Sequence, residues 1–363
     1  MSATFAIATG GTGGHVFPAL ALARALRARG HATVLLTDAR GSRYLAGENA
    51  VFEVEAASPS GSLLRSLSAL ALLFRGTLRA LRLFAEIRPP AAAAFGGYAS
   101  FPAVLAARIR RVPLVVHEQN AVLGRANRIA ARFAERLLLS FEDTERVSPS
   151  LRDRITVTGN PVRPDVLAQA ATDPLDDGRF RLLVTGGSQG ARRLGEVVPE
   201  AVARLPEPVR HRLVLWMQVR EEERAAAAAR LAAAGIADFE LRPFFEDLPA
   251  RLAHADLVVA RAGASTVAEL LAVGRPAILI PYPYAADDHQ TANAVRLERA
   301  GAAVRIDEKA LDADRLAAVL AGLAADPGRL AAMRQATCRL ARPDAAERIA
   351  DTLLSLLPAE ARP

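Results

Sequence analysis

Twice in this chain a short apolar run of β-favouring residues passes directly into a glycine turn that opens a helix. Thr4-Phe5-Ala6-Ile7-Ala8-Thr9 leads into Gly10-Gly11-Thr12-Gly13-Gly14-His15, with a helical pattern from Pro18. Arg181-Leu182-Leu183-Val184-Thr185 leads into Gly186-Gly187-Ser188-Gln189-Gly190-Ala191. Glycine lets the backbone take unusual dihedrals and come close to a ligand. The amides at a helix start face that ligand with the positive end of the dipole. One such turn is also consistent with a plain tight connection. Two of them, in the two halves of 363 residues, predict an α/β protein of two Rossmann-like domains.

The rest of the chain keeps the strand–helix rhythm of parallel sheets. In the first half, strands are expected at Ala32–Thr37, Val51–Val54, Ala91–Phe95, Leu114–Val116, Leu137–Ser140 and Ile155–Val157. In the second they are expected at Arg181–Thr185, Leu213–Met217, Phe239–Arg242, Leu257–Ala260 and Ala277–Ile280. Domains are drawn at 1–160 and 161–342, with 343–363 a helix packing back on the first. The crossing is placed at Gly159-Asn160-Pro161-Val162-Arg163 and the polar stretch to Gly178.

Several classes are disfavoured. Cys338 is the only cysteine, which leaves no intrachain disulfide or cysteine metal cluster, and the histidines show no paired ligand spacing. The start does not read as a signal peptide, and no apolar run approaches the ~18–20 residues of a membrane span. Neither glycine turn ends in Gly-Lys-Ser/Thr or matches the strict dinucleotide fingerprint.

Charge is uneven. Met1–Asn160 holds 20 Arg and 11 Asp/Glu, a balance of +9 within a total of +7. A basic half suits nucleic acid, an anionic membrane or a phosphorylated ligand. Nucleic acid has no helix-turn-helix or aromatic stacking platform in its favour. Ser62 to Glu86 is helical, with an apolar stripe at Leu63, Leu67, Leu70, Phe74, Leu81 and Phe84 and with Arg75, Arg79 and Arg82 on another face; Gly76 is a potential break. Two readings stand: a packed surface helix, or an element lying on a membrane with its arginines at lipid phosphates.

Polar groups gather where open α/β sheets bind ligands, beyond the carboxyl ends of strands. In the first half these are His15, Gly96-Gly97-Tyr98 and His117-Glu118-Gln119-Asn120. In the second, Ser188 and its loop amides suit a phosphate, Arg261 a diphosphate, Glu269 the two hydroxyls of a ribose, and Gln290 a sugar.

Together with Gly159-Asn160-Pro161-Val162-Arg163, Arg261-Ala262-Gly263 and Asp287-Asp288-His289-Gln290, in this order, these motifs closely resemble the MurG family. Its members are N-acetylglucosaminyltransferases that make lipid II for bacterial peptidoglycan. The resemblance covers nearly the whole chain. It implies a GT-B fold, two Rossmann-like domains facing across a cleft, and an inverting transfer that needs no metal or other cofactor.

It further implies that the second domain holds UDP-N-acetylglucosamine through Arg163, Ser188, the backbone near Phe245, Arg261, Ala264, Ser265, Thr266, Glu269 and Gln290. Thr12, Gly13, Gly14 and Asn120 would approach the same donor. Lipid I would lie on the first domain, its diphosphate at Thr12–Gly14 and at Gly96, Gly97 and Tyr98. Leu67, Leu70, Phe74, Arg75 and Arg79 fall where the family meets an anionic membrane, at the cytoplasmic face of the inner membrane. Other cell-wall synthesis proteins are implied as partners, and cell shape and division as processes. An imidazole with pKa near ~6.5 suits the base that takes the acceptor's proton, which makes His15 the first candidate and Glu118 the second, direct or orienting.

One stretch departs from the family: its His-Gln-Ser/Thr-Gly loop reads Met217-Gln218-Val219-Arg220 here. Alternatives are a GT-B enzyme with another lipid acceptor, a UDP-N-acetylglucosamine epimerase, which leaves the basic apolar stripe without a purpose, and a non-catalytic binding module.

Overall fold

The computed structural model describes residues 2–57, 63–170, 172, 173, 175, 177–186 and 192–357, with no side-chain description for 63–66. The chain divides into two compact units, Met1–Arg163 with Arg342–Pro363, and Pro164–Ala341.

The first unit opens with β1 (Thr4–Ala8), α1 (Gly13–Ala28), β2 (Ala32–Thr37), α2 (Ala39–Ser42), β3 (Val51–Glu53) and α3 (Leu63–Ile87). It continues with β4 (Ala92–Ala94), α4 (Phe101–Arg110), β5 (Leu114–Glu118), α5 (Arg125–Ala130), β6 (Arg136–Leu139) and β7 (Ile155–Val157). All seven strands are parallel, in the order β3-β2-β1-β4-β5-β6-β7. Strand alternation sends Phe5, Ile7, Leu35, Ala93 and Val115 to one face, against Leu22 and Leu26 of α1. Ala6, Ala8, Leu36, Ala94 and Val116 face the other way, toward Leu83 and Phe84 of α3 and Val104 of α4. With both faces covered, the strands read as continuous apolar runs.

The second unit holds α6 (Pro164–Leu167), β8 (Phe180–Thr185), α7 (Arg192–Ala203), α8 (Glu207–Arg212), β9 (Leu213–Gln218), α9 (Glu221–Ala233), β10 (Asp238–Arg242) and α10 (Leu248–His254). Then come β11 (Leu257–Ala260), α11 (Ala264–Val273), β12 (Ala277–Leu279), α12 (His289–Arg299), β13 (Ala303–Arg305), α13 (Ala313–Ala324) and α14 (Pro327–Leu340). Its six strands are parallel in the order β10-β9-β8-β11-β12-β13. The last helix, α15 (Ala345–Ser355), packs on α1 of the first unit and buries Ile349, Ala350 and Leu353 there. Arg29, at the end of α1, reaches Glu347 at 2.9 Å and Asp351 at 2.6 Å.

Three local expectations need correction. The first helix starts at Gly13, not Pro18, so His15 lies in its first turn. Pro18 sits inside that helix with no N–H to return to Gly14. Gly76 does not break α3, which is continuous. A Cβ there would stand 2.2 Å from the Glu55 carbonyl oxygen and 3.1 Å from Pro102 Cγ, so glycine serves close helix packing. The stripe along α3 is also divided: Phe84 is buried, whereas Leu67, Leu70 and Phe74 are more than half exposed.

Candidate active site

In each sheet the strand order reverses direction beside the strand that carries a glycine turn, between β1 and β4 and between β8 and β11. Such switch points are where open α/β sheets leave a crevice for ligands. Gly10–Gly14 follows β1 and Gly96–Gly97 follows β4, so both glycine turns flank one switch point. They interlock: a Cβ on Gly97 would lie 2.8 Å from Gly10 Cα, and Gly97 has φ of +74°. Gly96 has φ of +85°. Tyr98 begins a short 3₁₀ turn, and Ser100 Oγ closes it by donating to Gly97 O at 2.8 Å.

Thr12 is the N-cap of α1, and its Oγ1 lies 2.9 Å from His15 Nδ1. Gly13 and Gly14 are the first two helical residues, and α1 has no acidic residue in its first turn. No acidic side chain of its own first turn offsets the positive end of this helix, and the Asp38 carboxylate lies against the preceding residue Gly11.

The His117–Asn120 run sits at the end of β5, with His117 and Glu118 still on the strand. Glu118 is 2% exposed. Its Oε1 accepts from Asn120 N at 3.0 Å and Asn120 Nδ2 at 3.1 Å; its Oε2 accepts from Gly124 N at 3.0 Å and Asn127 Nδ2 at 2.8 Å. Four donors hold that carboxylate. Asn127 is buried and also donates to His117 O at 3.0 Å, with its amide against Gly96. Asn127 was missed by sequence reasoning, because a polar residue on a short helix carries no pattern until the fold shows what it faces.

His117 is buried, its Nε2 2.9 Å from Gly159 O and its Nδ1 3.1 Å from Gln119 Nε2. Gln119 Nε2 also donates to Phe95 O at 2.9 Å. One amide hydrogen thus points at Nδ1, which makes Nε2 the protonated nitrogen, donating to Gly159 O. Burial lowers the His117 pKa to about 4; the Gly159 bond opposes that shift, and the nearby His15 adds to it. Arg163, the last residue of this unit before the crossing, stacks over Phe17 at 5.4 Å.

In the second unit, Ser188 lies outside the described residues. Ala264, Ser265 and Thr266 form the first turn of α11, which has no acidic residue there, and Glu269 follows one turn on. Ser265 Oγ is buried and has no hydrogen-bond partner among the described residues. Asn293, fully buried on α12, donates to Ala262 O at 3.0 Å and holds the loop before α11; it too went unread in the sequence. Gln290 Oε1 accepts from Tyr282 N at 3.0 Å, which leaves its amide hydrogens to donate.

Arg261 is turned inward. It pairs with Glu308, donates to Ile280 O at 3.2 Å and Pro281 O at 3.3 Å, and lies 5.5 Å from the Tyr282 ring centroid. Phe245 is fully buried beneath Arg251, 4.3 Å from its ring centroid, so only its backbone can meet a ligand. In the departing loop, Gln218 accepts from Thr185 Oγ1 at 2.5 Å, and Arg220 stands as the N-cap of α9. Among the described residues, no group of three His, Cys, Asp or Glu is placed to hold a metal ion.

Two family models match the chain: the glycosyltransferase family 28 N-terminal domain over residues 5–139 and its C-terminal domain over 181–349. A relative from Rhodospirillum centenum, "UDP-N-acetylglucosamine--N-acetylmuramyl-(pentapeptide) pyrophosphoryl-undecaprenol N-acetylglucosamine transferase", is 48% identical over 97% of this chain and 94% of its own. A relative of the same name from Methylobacterium nodulans is 51% identical over 95% and 94%. The crystal structure of Acinetobacter baumannii MurG aligns with a TM-score of 0.81 at 31% identity, over 98% of this chain and all of that one.

Proposed function

From membership of the MurG family of N-acetylglucosamine transferases, to which this chain belongs, we infer that it moves N-acetylglucosamine from UDP-N-acetylglucosamine to the 4-hydroxyl of undecaprenyl-pyrophosphoryl-N-acetylmuramoyl-pentapeptide, releasing UDP and lipid II. The observation that carries this reading is a likeness running through both units at about half identity.

The first unit holds the lipid acceptor, its diphosphate at the α1 helix start and at Gly96, Gly97 and Tyr98. The second holds the donor at the start of α11, with Ser265 Oγ as a waiting donor, Glu269 on the ribose and Gln290 on the sugar. The acceptor's O4 attacks the anomeric carbon, the bond from that carbon to the phosphate oxygen breaks, and UDP leaves with the electron pair. The O4 proton passes to His15. With Nδ1–H given to Thr12 Oγ1, Nε2 carries the lone pair that accepts it.

Glu118 is a positioning residue in this scheme, since its four donors occupy the lone pairs a base would use. It aligns Asn120. The leaving diphosphate is stabilised by the amides of α11, and a preorganised donor of this kind is typically worth ~3–4 kcal/mol. Arg261 supports that site from behind by bracing the carbonyls of Ile280 and Pro281.

The exposed part of α3, with Leu67, Leu70, Phe74, Arg75 and Arg79, rests on an anionic bilayer at the cytoplasmic face of the inner membrane, the surface that presents lipid I. No single described helix is long and apolar enough to cross a bilayer, which agrees with peripheral attachment. Other cell-wall synthesis proteins would meet it there.

UDP release from UDP-N-acetylglucosamine, measured with and without a short-chain lipid I analogue, tests the reading. Strict dependence on the analogue is expected, with a disaccharide product; release without it points to an epimerase or another acceptor. His15→Ala should lower turnover by at least a hundredfold with donor affinity little changed, and unchanged turnover removes His15 from the mechanism.

A further inference from the structure

Arg75 and Arg79 on α3 are not simply presented to solvent. Gly76 lies against the main chain just beyond β3, where a Cβ would stand 2.2 Å from the Glu55 carbonyl oxygen. That contact fixes the helix over residue 55 by backbone, independent of any side chain. Arg75 and Arg79, one residue before and three after Gly76, are thereby brought to the same carboxylate. Arg75 Nε is 3.3 Å from Glu55 Oε2, and Arg79 Nη1 is 3.8 Å from Oε1. Glu55 Oε2 is buried and receives no well-formed hydrogen bond, so the attraction is Coulombic rather than directional. Both arginines stay more than half exposed, at 68% and 51%. Arg82 is exposed a further turn along the same face and has no carboxylate partner among the described residues.

We propose that Glu55 is an intramolecular competitor of anionic lipid: it compensates Arg75 and Arg79 when the protein is free and gives them up to phosphate groups at a bilayer, setting the anionic lipid density the surface requires. This rests on the membrane reading of α3 given above. Exposed ion pairs and single basic residues at an anionic surface have similar strengths, so exchange between the two partners is close to balanced. The apolar neighbours Leu67, Leu70 and Phe74 are 55%, 56% and 64% exposed and contribute equally on any bilayer. The discrimination between lipid surfaces therefore falls to charge, and Glu55 subtracts from it.

The test is binding of the full chain to vesicles of mixed phosphatidylglycerol and phosphatidylcholine, against pure phosphatidylcholine. Glu55→Gln should bind the mixed vesicles about fivefold more tightly, the equivalent of ~1 kcal/mol for one charge at the surface, with no change on phosphatidylcholine. In the native background Arg82→Gln should weaken binding more than Arg79→Gln, because only Arg79 is already compensated. In the Glu55→Gln background the two losses should become equal. The arginine comparison decides the matter even if Glu55→Gln does not fold. Tight binding by the native chain with no gain in Glu55→Gln, or equal native losses for Arg79 and Arg82, overturns the role of Glu55 and leaves the membrane reading standing. No preference of the native chain for the mixed vesicles overturns both.

Discussion

His117 is buried, neutral and hydrogen-bonded on both ring nitrogens, and this has a consequence in acid. Its folded pKa of about 4 lies below the ordinary 6.5. Between those values the unfolded chain binds the proton more readily, so stability rises with pH through that window and is lost as pH falls through it. The full difference is on the order of 3 kcal/mol. Thermal melts across this range should show the native chain losing stability and His117→Gln, whose amide can still donate to Gly159 O, losing less. A similar argument applies to Asn127. Its removal leaves Glu118 Oε2 and His117 O each short of a donor, which costs ~1–3 kcal/mol. Asn127→Ala should lower kcat with the donor KM nearly unchanged, and Asn127→Asp should do worse by setting a second carboxylate against Glu118. His15, Glu118 and Asn120 drew notice in the sequence by their place near strand ends: Glu118 closes β5, Asn120 comes just after it, and His15 lies beyond β1. What each one touches was not legible there, since Thr12, Gly124 and Asn127 become partners only through the fold. The inward turn of Arg261 was illegible for the same reason: its Glu308 partner lies 47 positions away on an unrelated turn.

At the level of elements, the glycine turns were the clearest signal and the helix limits the weakest. Strands such as Ala32–Thr37 and Leu257–Ala260 end where their apolar runs end. β13 (Ala303–Arg305) gave no warning, being three residues long and without a β-branched run. Gly76 looked like a breaker because a missing side chain reads the same whether it loosens a helix or lets a neighbour in. The interlocked turns of the first unit make a sharper prediction. Gly97→Ala places a Cβ 2.8 Å from Gly10 Cα at φ of +74°, so strain and steric overlap act together. Destabilisation above ~1 kcal/mol is expected, with the acceptor KM raised more than the donor KM in steady-state assays of UDP release.

Across the whole molecule, the two sheets share one winding scheme, with β1 and β8 in equivalent places. That repetition is why two glycine turns sufficed to foresee two domains. The units differ in continuity: the second is one uninterrupted stretch, and the first is completed by Arg342–Pro363. At the point where chain leaves and returns, Gly159 faces Arg342 so closely that a Cβ would stand 2.5 Å from Arg342 Cβ. A short glycine–serine bridge from Arg163 to Arg342 should therefore replace the second unit entirely. The resulting protein is expected to melt cooperatively, whereas residues 1–163 alone should not, lacking Ile349, Ala350, Leu353 and Leu357 against α1.

The same discontinuity imposes an order on the protein's birth. A ribosome delivers the first unit's sheet early, yet the helix that seals one of its faces emerges only after all of the second unit has been made. Throughout that interval the part of α1 that Ile349, Ala350 and Leu353 cover has no lid. The nascent chain passes through a stage in which its later portion is finished and its earlier portion is not, and a stop between residues 341 and 345 strands it there. Quality control that recognises exposed apolar surface thus reads, from this one helix, whether synthesis has passed residue 355.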